Sequence, residues 1–130
     1  MNAGDSSGGA PGLAAFIEAA IPSVWALEAL LVLKRDPDIA WTAEGLVAEM
    51  RASATLVKDC LTVLCRAGLV MEREDGFRYA PASPALAVLS DALQDAYRER
   101  PVSLVNMITS RRSDPLKGFA DSFRLGGWKP

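Results

Sequence analysis

The chain has 130 residues, of which 50% are hydrophobic and only 7% aromatic, and its formal net charge is -2. That size and composition suit one mainly helical domain with a real core and argue against an all-β fold; the negative balance argues against a non-specific polyanion binder, which would be basic. There is no histidine, which excludes imidazole catalysis, histidine-based triads and the commonest zinc arrangements.

Residues 1–12 (MNAGDSSGGAPG) are Gly, Ser and Ala with one acid, and are expected to form a disordered tail. Leu13, Phe16, Ile17 and Ala20 then fall at helical spacing, predicting a short helix that packs on the core or on a second subunit. Ile21-Pro22-Ser23 ends it, with Ser23 placed to cap the next helix. Val24 to Lys34 is apolar nearly all round except at Glu28, as a central helix should be. It is far shorter than the roughly 20 residues needed to cross a bilayer. The N-terminus lacks the basic flank and apolar run of a secretory signal, so a cytoplasmic location is expected.

Asp36-Pro37-Asp38 stops this helix, and Ile39-Ala40-Trp41 has the length of a brief third strand for a hairpin. Thr42, with Glu44 in the first turn, starts a helix to about Met50 that should bury Leu46, Val47 and Met50. Arg51-Ala52 reads as a turn and Ser53 as the cap of a helix from Ala54 to Ala67. At 100° per residue, Val57, Leu61 and Leu64 share the inward sector, and Thr55, Lys58, Asp59, Thr62 and Arg66 point out.

Gly68 stands where a left-handed C-cap is needed. Leu69 to Arg73 is strand-like, Asp75-Gly76 signals a hairpin, Phe77 to Ala80 returns, and Pro81 and Pro84 close the unit. Ala85 to Arg98 carries an apolar stripe of Leu86, Leu89, Leu93 and Ala96. Pro101 starts a helix with Val102, Leu104, Val105 and Ile108, and Pro115 a third in which Leu116, Phe119, Ala120 and Phe123 share a face. Arg111-Arg112 joins these two, and residues 126–130 are expected to be loose.

Little here points to catalysis. The glycine pairs Gly8-Gly9 and Gly126-Gly127 lie in the tails, not in a phosphate loop, and without histidine no nucleophile–base pair can be assembled except by unusual lysine chemistry. We expect no enzyme, no cofactor and no metal. Cys60 and Cys65 are five apart, about 140° around a helix, so they neither bridge nor chelate one ion. They read as packing thiols in a reducing compartment, with a redox role as the alternative.

The run from Leu46-Val47-Ala48-Glu49-Met50 through Leu61, Leu64, Ala67-Gly68-Leu69-Val70 and the Asp75-Gly76 hairpin resembles the winged helix-turn-helix superfamily, such as the MarR-like small bacterial regulators. It is also similar to the winged-helix dimerisation domains of small-molecule O-methyltransferases, which bind no DNA. The resemblance implies a mainly α fold with a small β-hairpin wing over residues 13–84, followed by a C-terminal helical extension over 85–125. It implies a homodimeric DNA-binding transcriptional regulator whose second motif helix enters the major groove of duplex DNA.

Carried over, Ala54, Thr55, Lys58, Asp59 and Thr62 would face base edges, with Arg51, Ser53 and Arg66 beside them. Arg73 and Arg78 on the wing would lie against phosphate. The helix after the wing would supply dimer contacts through Leu86, Leu89 and Leu93, and Leu116, Phe119 and Phe123 would dock on the domain or on a protein partner. Asp59, Glu72, Glu74 and Asp75 depart from a good DNA reader, because acids near phosphate oppose binding. The alternative is therefore a winged helix used for protein–protein contact, regulating a signalling partner without DNA. The late basic residues Arg98, Arg100, Arg111, Arg112, Lys117, Arg124 and Lys129 fit either a solvated surface or an acidic partner.

Overall fold

The computed structural model describes residues 12–113. In chain order the elements are α1 (Leu13–Ala20), α2 (Val24–Arg35), α3 (Ala43–Met50), α4 (Ala54–Arg66), β1 (Val70–Arg73), β2 (Gly76–Tyr79), α5 (Pro84–Glu99) and α6 (Pro101–Ser113). The described chain is thus mainly helical, with one small antiparallel hairpin.

Short hydroxyl side chains start four of these helices. Ser23, Thr42, Ser53 and Ser83 each accept a hydrogen bond from a backbone N–H in the first turn, those of Ala26, Gly45, Leu56 and Leu86, at 2.9–3.2 Å. Each bond satisfies a donor that has no partner inside the helix. The last of these moves the start of α5 from the expected Ala85 to Pro84, where proline loses nothing by lacking an N–H.

Helix α2 lies at the centre. Its Ala26, Leu27, Ala29, Leu30 and Leu33 are buried, and it touches α3, α4, β2 and α6. Helix α1 buries Leu13, Phe16, Ile17 and Ala20, the four positions its spacing marked, and rests on α5 and α6. Leu93 of α5 and Leu104 and Ile108 of α6 belong to the same buried cluster, so packing does not stop at residue 84. Glu28, the polar break in α2, accepts a hydrogen bond from the Tyr97 hydroxyl at 2.7 Å, which raises the phenol above its ordinary value. Lys34 reaches Asp91 and Gln94, both at 2.7 Å, and ties the end of α2 to α5.

Several expectations are corrected in detail. In α3 only Leu46 is fully buried; Val47 and Met50 are half-exposed because the helix is short and lies at the margin of the core. The expected third strand is reduced to Trp41, whose N–H and C=O pair with those of Phe77 at 2.7 Å each. The register sets Arg73 opposite Gly76, so Glu74-Asp75 is the turn and Gly76 already belongs to β2. Gly76 is needed for another reason: a Cβ there would stand 2.5 Å from the Trp41 carbonyl oxygen. Arg111 and Arg112 lie within α6 rather than in a link. The expected helix from Pro115, with Leu116, Phe119 and Phe123, lies outside the described residues, as does the segment 1–11. Among the described residues no single helix is long and apolar enough to cross a membrane.

Candidate nucleic-acid interface

The turn between α3 and α4 and the outward face of α4 form one edge of the molecule. Arg51 takes the left-handed conformation at φ 56°. This costs a non-glycine residue roughly 1–2 kcal/mol and lets the Ala52 N–H close the turn on the Val47 carbonyl. Ser53 then caps α4, so its hydroxyl oxygen already accepts one bond. Val57, Leu61, Leu64 and also Cys60 face the core. Thr55, Lys58, Asp59, Thr62 and Arg66 are exposed, as their spacing requires. The Thr62 hydroxyl donates to the Lys58 carbonyl at 2.9 Å, which uses up its proton locally. The side chains of Arg51, Lys58 and Arg66 form no ion pair or hydrogen bond with any described residue.

The hairpin sorts its charges by face. Residues directly opposite one another in an antiparallel pair project to the same side, and the sides alternate along each strand. Val70 with Tyr79 and Glu72 with Phe77 therefore share the side facing the helices, while Met71 with Arg78, and Arg73 with Gly76, share the other.

Two open clefts follow this division. The inner one, about 720 Å³, has Leu61, Cys65 and Phe77 on its floor beside Ala43, with Lys58, Thr62, Arg66 and Glu72 around it. The outer one, about 680 Å³, is lined by Met71, Arg73, Glu74, Asp75, Arg78 and Ala80.

The residues expected to contact DNA are thus divided. Lys58, Thr62 and Arg66 come together, with Thr55 further along the same helix and Arg51 and Ser53 at its start. Arg73 and Arg78 stand on the opposite side of the hairpin. Both are also engaged within it: Arg78 contacts Asp75 at 3.4 Å, and the Arg73 Nε–H donates to the Met71 sulfur at 3.0 Å. Sequence reasoning counted Glu72 only as a wing charge. The structure sets it across from Phe77 at the inner cleft, a placement that follows from strand register and could be read only once the turn was correctly located.

The residues expected at a dimer contact are placed inward. Leu93 is fully buried, and Leu86 and Leu89 pack half-buried against the chain's own core. Apolar spacing marks the face a helix must cover, and here the domain covers it itself. Leu116, Phe119 and Phe123 fall outside the described residues.

Burial pushes both thiols above their ordinary values, with Asp59 adding to the shift at Cys60 and Glu72 at Cys65. Both therefore stay protonated at neutral pH. Of the late basic residues, Arg98 is paired with Asp95 at 2.8 Å. Among the described residues no three His, Cys, Asp or Glu side chains gather as metal ligands would. No protein-family model, no curated protein and no solved structure matches the chain.

Proposed function

We propose that the chain is a winged-helix DNA-binding transcriptional regulator, a binding protein rather than an enzyme, acting as a homodimer in the cytoplasm with α4 laid in the major groove of duplex DNA. The observation that carries this reading is the outward face of α4. It is a row of exposed polar side chains backed by a packed inward face, and its cations Lys58 and Arg66, with Arg51 at its start, pair with no described residue. A helix of this kind fits the roughly 12 Å width of the major groove. Uncompensated Arg and Lys gain most from phosphate, because binding releases condensed counterions. The free thiols Cys60 and Cys65 fit a reducing compartment.

Retention on genomic DNA at low ionic strength, followed by salt titration, tests the reading. Three contacts per protomer, from Arg51, Lys58 and Arg66, give an expected slope in log K against log salt of about -2.7 for one protomer and about -5.4 for the dimer. A chain that is not retained even at low salt does not bind DNA through this face.

That negative outcome favours the second reading, a winged helix that docks a protein partner. Glu72 inside the inner cleft, the exposed Glu74 and Asp75, and the occupation of Arg78 by Asp75 all support it.

Leu93 is fully buried and Leu86 and Leu89 are half-buried against the core, so we assign the dimer contact to the apolar side chains left most exposed on α5 and α6. Val88 is 57% exposed and Val102 72%. Sedimentation equilibrium should find a dimer that Val88→Glu with Val102→Glu converts to a folded monomer. A wild-type chain that sediments as a monomer at high micromolar concentration removes the dimer from the account.

A further inference from the structure

We propose that the inner cleft between α4 and the hairpin binds a small organic dianion with a flat apolar body, held by Lys58 at one end and Arg66 at the other. Lys58 and Arg66 are eight residues apart on α4, so they stand about 12 Å apart along its axis, with Thr62 between them. Leu61 and Cys65 on α4 and Phe77 on β2 supply an apolar floor beneath that row. A cleft of about 720 Å³ is of the size that holds a small molecule rather than an ion. Neither cation is bonded to a described residue, so each can pair with a ligand carboxylate without giving up a bond to one of them. Among the described residues Glu72 is the only acid on the lining, and it sits on the hairpin side.

Two other clefts among the described residues lack this combination. At the outer hairpin cleft both arginines are already engaged. The cleft between α1 and the end of α4 is only about 270 Å³. A ligand in the inner cleft would cover Lys58 and Thr62, the face assigned above to DNA, and would therefore displace the duplex. That consequence rests on the DNA reading; the binding itself does not.

The test uses the full chain without DNA and three probes of one shape and graded charge: 2,6-naphthalenedicarboxylate, 2-naphthoate and dimethyl 2,6-naphthalenedicarboxylate. Calorimetric affinities should fall in that order, by about tenfold for each charge lost. Lys58→Ala and Arg66→Ala should each weaken the dianion by about tenfold, whereas Glu72→Gln should tighten it, a gain that damaged folding cannot produce. The dianion should also slow alkylation of Cys65 by iodoacetamide, read by peptide mass spectrometry.

The proposal is overturned if no probe binds at millimolar concentration, or if the neutral ester binds as well as the dianion. It is equally overturned if Lys58→Ala and Arg66→Ala chains with unchanged melts bind like wild type, or if Cys65 reacts at the same rate with and without the dianion. Binding of the dianion by a chain that is not retained on DNA would leave this site standing and remove only the duplex reading.

Discussion

Gly76→Ala is expected to lower the melting temperature by roughly 10 °C, at a cost of about 3 kcal/mol. Two effects combine. Gly76 has φ 139°, a region that side-chain-bearing residues rarely enter. An added Cβ would also lie 2.5 Å from the Trp41 carbonyl oxygen and 2.8 Å from its carbon, and both are backbone atoms. Relief therefore requires the bridge itself to separate. Strain of this kind costs about 1–3 kcal/mol, and the two Trp41–Phe77 hydrogen bonds at 2.7 Å are worth about 1 kcal/mol each. The hairpin would swing off the end of α2, and Phe77 would leave the floor of the inner cleft. A thermal melt and the amide signals of Trp41 and Phe77 check this. An unchanged melt with both amides still protected would mean that Trp41 does not pin β2.

Reversing the charge at Lys58 and Arg66 together is expected to reduce DNA affinity at least about 100-fold at low salt while leaving the melt nearly unchanged. Both side chains are exposed and pair with no described residue, so reversal breaks no ion pair; Arg66 stands in the last turn of α4, where a glutamate opposes the helix dipole at a cost of only about 0.3–1 kcal/mol. Each phosphate contact is worth about tenfold at roughly 50 mM salt through counterion release, and a glutamate in its place adds repulsion. Glu72→Gln should act in the opposite direction and strengthen binding, because it removes an acid from the same cleft. Arg78→Ala should matter less than Lys58→Ala, since Arg78 lies on the other face of the hairpin and is held by Asp75. Fluorescence anisotropy on one duplex, repeated at two salt concentrations, reads all four. Equal losses for Arg78→Ala and Lys58→Ala would place the duplex across the hairpin rather than along α4.

Local chemistry was the legible part of this chain. Ser23, Thr42 and Ser53 declare helix starts because a hydroxyl oxygen just ahead of a helical run can accept the otherwise unpaired N–H three residues on. The inward faces of α1 and α4 follow from the 3.6-residue period, and Gly68 at φ 80° follows from the geometry of a helix end. Long-range contacts were not legible. An Asp-Gly pair signals a hairpin, but the turn sits one residue earlier because Gly76 answers to Trp41, which lies far back in the chain. The Leu86, Leu89 and Leu93 stripe showed that α5 has a side to cover; only the packing of α1, α5 and α6 shows what covers it. Lys58 and Arg66 could be read as outward, whereas their separation from Arg73 and Arg78 depends on strand register.

Helix α4 is the face proposed above to meet DNA. Amide chemical-shift mapping of the isotope-labelled chain, titrated with a short duplex at low salt, tests it most directly. The largest shifts are expected on Arg51, Thr55, Lys58 and Thr62, with Arg73 and Arg78 on the outer face of the hairpin changing little. Shifts confined to the outer hairpin or to α5 and α6, with α4 silent, would contradict it, as would a spectrum that the duplex leaves unchanged.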